Sequence, residues 1–309
     1  MLRLPLNLMH HVYLHSEDLD GWLAPPNQPI LPIYRACFAE LEGLRVEADD
    51  GLHELRIVLN SGKSPDYLEE QARSFGGRHA IACNGAAWRA VGGATRLFAP
   101  PSPEFVRLRS LLGVTAEAVG VVELGFTGGP EVVIEEGKRC EGRDIVLTFF
   151  TEPEPVRHRW RFRGGVDRQA LYDVLQGLIW EQGLDLAVLE PHGDGALDVV
   201  PTVEGRAVAK WTLPELAREM YPKAVLHLTH GGDGAGDLPA MEAAGVTPLS
   251  AYNCAATRQF AARRDGLVAQ RPAPDGGAGL ECYAALARRG FYGPLSRAVS
   301  EIVRVHLSR

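Results

Sequence analysis

Asp18-Leu19-Asp20-Gly21 and, far downstream, Gly232-Asp233-Gly234-Ala235-Gly236-Asp237 decide how this chain is read. The first follows the short stretch His11-Val12-Tyr13-Leu14 and the second follows Ala224-Val225-Leu226-His227-Leu228, each a predicted strand with a helix-like segment after it. In an open α/β sheet the residues leaving the carboxyl ends of strands meet in one crevice, so distant clusters can share a site. Four carboxylates gathered there repel one another unless a cation holds them. Mg²⁺ accepts such oxygen-rich, partly hydrated coordination. The first expectation is a magnesium site built for phosphoryl chemistry.

Strand and helix signals alternate outward from the first cluster. Residues 29–44 carry Ile33, Ala36, Cys37, Leu41 and Leu44 at helical spacing. Residues 54–59 read as a strand and 60–63 as a turn. Ser64 stands as an N-cap ahead of Pro65 and a helix to residue 75. Residues 80–83 form another short strand, ending at Asn84-Gly85. From 86 to 206 the pattern changes, with glycine pairs (Gly92-Gly93, Gly128-Gly129, Gly164-Gly165) between strand-like segments at 132–135 and 145–151. Helices are predicted near 104–112 and 167–182, then neighbouring strands at 184–189 and 196–200. Alternation resumes with helix 213–220, strand 224–228, helix 238–244, strand 246–250 and helix 254–263. This order predicts a doubly wound, mainly parallel Rossmann-like core from 1–85 and 207–309, interrupted by an α+β insertion over 86–206.

Composition narrows the class. Of 309 residues, 46% are hydrophobic and 23% charged, enough apolar material for a sizeable core in a soluble globular protein. The net charge of −7, with both signs mixed along the chain, argues against nucleic acid as a partner. Cys37, Cys83, Cys140, Cys254 and Cys282 are scattered and contain no Cys-x-x-Cys pair, so reduced thiols in the cytoplasm are expected. No apolar run reaches the length of a membrane span, and residues 1–10 lack the pattern of a signal peptide.

Asp18 and Asp20 lie at a strand end, where the bending backbone lets both project into the crevice. Such a pair can divide labour, one carboxylate attacking phosphorus and the other moving a proton. An isolated Asp-x-Asp-Gly is more often a simple turn. Two further elements change that balance. Ser61 and Gly62 follow a strand and precede a helix, where a hydroxyl and backbone amides can hold an anion. Lys210, ahead of the helix at 213, can neutralise phosphate charge.

The ordered set resembles the haloacid dehalogenase superfamily, in particular its Cof-type sugar-phosphatase branch. Asp18-Leu19-Asp20-Gly21 matches motif one, Leu59-Asn60-Ser61-Gly62-Lys63 motif two, Lys210 motif three, and Gly232-Asp233 with Asp237 motif four. Ile81-Ala82-Cys83-Asn84-Gly85-Ala86 and Gly276-Gly277-Ala278-Gly279-Leu280 resemble two further family segments, so the likeness spans nearly the whole chain. The resemblance implies that Asp18 is a nucleophile forming an aspartyl-phosphate and that Asp20 is the general acid and base. Ser61, with Gly21 and Gly62, would bind the phosphate, while Lys210 balances charge and orients Asp18. Mg²⁺ would be held by Asp18, Asp20 through its backbone carbonyl, and Asp233, with Asp237 as a ligand or just behind one. The residues 86–206 would be a cap that sets specificity for a small phosphorylated substrate, most plausibly a sugar phosphate.

Three positions depart from that family pattern. Trp22 stands where a threonine is usual, Gly236 where asparagine is usual, and Lys63 where arginine is common. An indole beside the reactive centre is expected to reshape or narrow the pocket. It keeps open a non-catalytic phosphate- or sugar-binding protein, and the sequence leaves a phosphotransferase or mutase open as well. Gly62-Lys63-Ser64 is not the end of a nucleotide-binding P-loop, because that pattern needs glycine where Ile57 stands. His227 and His230, three apart in a strand, are expected on opposite faces in packing roles, and the His10-His11 pair is read the same way. Trp160, Phe162 and Trp180 with the basic run 157–163 read as surface and core of the insertion.

Overall fold

The computed structural model describes residues 9–126, 129–151, 166–189 and 196–308. Trp160, Phe162 and the basic run 157–163 therefore lie outside the described residues. The chain opens with strand β1 (Met9–Glu17) and helix α1 (Pro32–Leu41), then a tight pair, β2 (Arg45–Ala48) and β3 (Gly51–Asn60). Helix α2 (Pro65–Arg73) begins as its sequence predicts, with the Ser64 hydroxyl accepting from the Tyr67 amide and Pro65 in the first turn. Next come β4 (His79–Ala82), β5 (Ala87–Ala90) and β6 (Thr95–Leu97).

A second set of elements follows: helix α3 (Glu104–Leu111), β7 (Gly120–Glu123), β8 (Glu131–Ile134), the small hairpin β9 (Arg139–Cys140) and β10 (Arg143–Asp144), and β11 (Leu147–Phe150). Helix α4 (Arg168–Gln182), capped by Asp167, leads to β12 (Leu186–Val188), β13 (Ala196–Val203) and β14 (Arg206–Ala207). The chain then returns through α5 (Leu213–Met220), β15 (Ala224–Gly231), α6 (Leu238–Glu242), β16 (Val246–Ala251), α7 (Ala255–Arg263), β17 (Leu267–Ala269), α8 (Ala278–Arg288) and α9 (Ser296–Leu307). No helix among the described residues is long and apolar enough to cross a membrane.

The main sheet runs β17-β16-β15-β1-β3-β4-β5-β6, with β2 also on β3. From β17 to β4 every pairing is parallel, as the alternating pattern predicts. Odd-numbered side chains of β1 and β3, such as Tyr13, Leu55 and Ile57, join Phe38, Tyr283 and Val299 on one face; even-numbered Val12, Leu14 and Val58 join Leu213 and Leu216 on the other. Helices cover both faces, which is what a parallel sheet buried on two sides requires.

The insertion forms a separate antiparallel sheet, β12-β13-β11-β8-β7 with β14 on β13. Leu147, Phe149, Leu197 and Val199 pack with Phe105, Leu108, Leu171 and Leu175 of α3 and α4, while Thr148, Phe150, Ala196 and Asp198 face the other way. That period of two leaves one sheet face free for another task. The break expected at residue 86 falls inside the main sheet, because β5 pairs antiparallel with β4, and β6 with β5. The cause is the turn between them: Cys83, Asn84 and Gly85 all take positive φ and fold the chain straight back. Asn84-Gly85 marks a hairpin, not the end of a sheet.

Candidate active site

The carboxyl ends of β1, β3 and β15 converge, and the residues just beyond them line one cleft of about 450 Å³. Asp18, Asp20, Gly21, Ser61, Gly62, Lys210, Asp233 and Asp237, all singled out from sequence, lie on its wall. Lys63 and Gly236 are there too; Trp22 is not.

Asp18 is placed by its own backbone, whose N–H donates to the Gly231 carbonyl at 2.9 Å, so the β1 and β15 ends are locked together. The Lys210 Nζ donates to Asp18 Oδ1 at 2.8 Å and to Asp237 Oδ1 at 2.6 Å. Burial works against the lysine charge, but Asp18 and Asp237 outweigh it and hold its pKa above the ordinary range. Asp18 is pushed well above the usual carboxylate value by burial and then by Asp237 and Asp233, with Lys210 opposing. Burial and the Asp237 charge likewise raise Asp233 to about 7.

Asp237 behaves differently. Its Oδ2 accepts the backbone amides of Asp233 and Gly234, both at 3.1 Å, and its Oδ1 accepts Lys210 and the His230 Nε2 at 3.0 Å. Lys210 and His230 pull its pKa below the ordinary range against the cost of burial. With four donors its acceptor positions are filled. Of its two expected places, as a metal ligand or just behind one, this bonding favours the second: it holds Lys210 and shapes the loop that presents Asp233.

Asp18 and Asp233 do fit a hard divalent cation. They offer oxygen donors, and two buried carboxylates that resist ionising side by side are what such a cation relieves. Asp18, Asp233 and Asp237 each place a carboxylate oxygen within 4.8 Å of the others. Gly21 lets Asp233 come in. It has φ of 77°, and a Cβ there would sit 2.1 Å from Asp233 Oδ2.

Asp20 sits beside the cleft with its Oδ1 accepting the Asn27 amide at 2.9 Å and its Oδ2 2.7 Å from Lys63 Nζ. Lys63 also donates to the Asn27 side chain. Ser61 is set by backbone bonds on both sides, its N–H to Ile81 and its carbonyl from the Asn84 amide.

Trp22 corrects the expectation of a narrowed pocket. The indole is fully buried on the far side of the loop, against Gly231 and Gly279, and its N–H donates to Glu17. Glu17 also accepts from the Tyr283 hydroxyl at 2.6 Å. The missing threonine hydroxyl is thus replaced by a different tie beneath the loop.

Several lining residues carry no motif. Asn84 Nδ2 donates to Asp198 Oδ2 at 2.5 Å, joining the main sheet to the second one. Lys138 Nζ lies 2.6 Å from Thr148 Oγ1, 2.9 Å from Glu135 Oε2 and 3.5 Å from Asp198 Oδ1. The free face of the second sheet therefore roofs the cleft with polar groups. Their sequence signal is alternation alone, since Thr148 and Asp198 occupy the even positions of otherwise apolar strands. His230, expected only to pack, is bonded on both ring nitrogens, to Ser16 at 2.9 Å and to Asp237.

No family model matches the sequence, and no curated protein matches it. Solved structures do. A protein from Thermoplasma acidophilum aligns with TM-score 0.56 and 14% identity over 90% of this chain and 98% of its own. A phosphatase of the haloalkanoate (HAD) superfamily from Bacteroides thetaiotaomicron gives 0.54 and 18% over 94% and 98%. The sucrose-phosphatase of Synechocystis, solved with sucrose and phosphate, gives 0.53 and 13% over 91% and 98%. The chain has the fold of the haloacid dehalogenase-like hydrolases, the Cof-like members among them.

Proposed function

We propose that the protein is a Mg²⁺-dependent phosphatase that hydrolyses a small phosphate monoester, a sugar phosphate being the best fit. The observation that carries this reading is the Asp18 carboxylate, held by Lys210 at the base of a cleft with Asp20, Ser61 and Asp233 around it. The likeness in fold to a HAD-superfamily phosphatase and to a sucrose-phosphatase supports it.

In this reading Asp18 attacks phosphorus and the bond to the leaving oxygen breaks, while Asp20 gives that oxygen its proton. Asp20 then takes a proton from water as the water attacks the aspartyl-phosphate, releasing phosphate and restoring Asp18. Lys210 offsets the repulsion between Asp18 and the incoming anion, and the Ser61 hydroxyl with the Gly62 amide hold phosphoryl oxygens. Asp18 and Asp233, with the Asp20 carbonyl, would hold Mg²⁺, which when bound stabilises charge on the transferring group. Lys63 keeps Asp20 turned to the cleft rim until substrate phosphate competes for it. The second sheet serves as cap: Asp198, Thr148, Lys138 and Glu135 offer acceptors and donors suited to hydroxyl groups on the alcohol. Trp22, packed under the loop and off the cleft wall, leaves the cleft open to substrate, which supports turnover over a non-catalytic binding role.

The test is Mg²⁺-dependent phosphate release across a panel of sugar phosphates, wild type beside Asp18→Asn. Release should need Mg²⁺ and fall by at least about 10³-fold in the variant, which retains the shape but lacks the nucleophile. No release from any substrate would sink the proposal. Transfer of phosphate between hydroxyls with none freed would replace it with a mutase.

A further inference from the structure

We propose a second cation site, for a zinc-like transition ion, formed by His11, His53 and Asp50 at the amino-terminal end of the main sheet. It stands independently of the phosphatase reading. His11 and His53 are direct neighbours across the β1–β3 pairing, seven residues back along β1 from Asp18. At about 3.3 Å per residue the two sites lie roughly 20 Å apart.

The three side chains each place one potential ligand atom within 4.8 Å of the others. The imidazoles of His11 and His53 stack at 4.6 Å with planes 4° apart, so their nitrogens lie side by side and small ring rotations converge them. Two neutral imidazoles and one carboxylate, with a water completing a tetrahedron, make a donor set that suits Zn²⁺ and that Mg²⁺ disfavours.

The hydrogen bonding around the cluster leaves one electron pair over. His11 Nδ1 lies 3.2 Å from His227 Nε2, so donation in that direction fixes the tautomer of His11. Its Nε2 is then an acceptor, and this buried atom has no partner among the described residues although the residue is only 9% exposed. A buried polar atom without a partner is rare and calls for an explanation. A metal ion supplies one.

His53 is poised in the same way. Its Nε2 bonds Asp50 Oδ1 at 2.9 Å and its Nδ1 lies 3.1 Å from the Tyr13 hydroxyl. A cation taking the place of the proton between His53 and Asp50 moves that proton to Nδ1, where the Tyr13 oxygen accepts it. His227 and Tyr13 would thus hold the outer nitrogens of the two ligating rings, the arrangement that orients histidine ligands at metal sites. The Asp50 side chain is 57% exposed, which gives the ion a way in from solvent.

Zn²⁺ titrated in competition with a chromophoric chelator, in excess Mg²⁺, tests this on the full chain. Wild type and Asp233→Asn should each retain one tight Zn²⁺ equivalent that Asp50→Asn and His53→Gln weaken by at least about tenfold. Thermal unfolding gives a second readout: Zn²⁺ should raise the midpoint of wild type and Asp233→Asn but not of Asp50→Asn. Asp50 is exposed at a turn, so its variant keeps the fold even if His53→Gln does not. Absence of that equivalent in wild type, or an affinity unchanged by Asp50→Asn, overturns the proposal.

Discussion

His15 and Glu17 are both fully buried, on the strand that leads into Asp18, and their protonation is inverted from what each has in water. Burial pushes His15 down to about 3, and it pushes Glu17 up to about 7 despite the bonds from Tyr283 and Trp22. The native state therefore keeps its proton on Glu17, whereas near pH 5.5 the unfolded chain keeps one on His15. A raised carboxylate loses stability as pH rises from its unfolded value of 4.5 towards 7. A depressed histidine loses stability as pH falls from 6.5 towards 3. Between those limits the two slopes oppose, each about 1.4 kcal/mol per pH unit. Glu17→Gln removes one of them. Relative to wild type it should lose roughly 2 kcal/mol between pH 6.5 and pH 5, read by denaturant unfolding at the two values. An unchanged pH dependence would show that the proton is not shared in this way.

Among the elements, the loop that leaves β1 sets the site's dimensions. Gly21 is there because the Asp233 carboxylate occupies the space a side chain would need, at a φ that favours glycine. Gly21→Ala should displace Asp233 by about an ångström and lower kcat by about 10²-fold, with a matching rise in the Mg²⁺ concentration needed for half activity. Helix α4 offers a simpler test of local design. Its Asp167 cap accepts the Ala170 amide at 3.1 Å, so Asp167→Ala should cost about 1 kcal/mol of stability and leave turnover unchanged.

This is also the scale at which sequence was most and least informative. That Asp18, Asp20, Ser61 and Asp233 share one cleft was legible because Asp-Gly and Ser-Gly clusters after strands mark places where backbone bends at the sheet's carboxyl edge. Helix α2 was legible because Ser64 and Pro65 act locally. The hairpin β4–β5 was not, since its turn uses Cys83, a residue that rarely takes positive φ. Nor was the role of Trp22: its partner Glu17 is chosen by the curl of the loop, which no spacing rule encodes.

For the molecule as a whole, the division into two sheets predicts a division of kinetic effects. The main sheet holds Asp18, Asp20 and Asp233, the groups proposed to react or to bind the ion, and the second sheet roofs them through Asp198 and Thr148. Asp198→Ala removes the partner of Asn84 and Lys138 without touching Asp18. KM for the best sugar phosphate should rise about tenfold or more, while hydrolysis of a small acyl phosphate with nothing to reach the roof stays within about twofold. Equal losses for both substrates would show that the second sheet supports the fold and reads nothing.

The placement of β1 has one more consequence. It pairs with β3 on one side and β15 on the other. A ribosome delivers the first partner at once and the second only after roughly 170 more residues, about 9–34 s at ordinary elongation rates. Throughout that interval the strand has one edge unpaired, a template for any passing extended segment. The nascent chain should therefore be most prone to aggregate just before β15 emerges, and a holdase chaperone should matter most at that length.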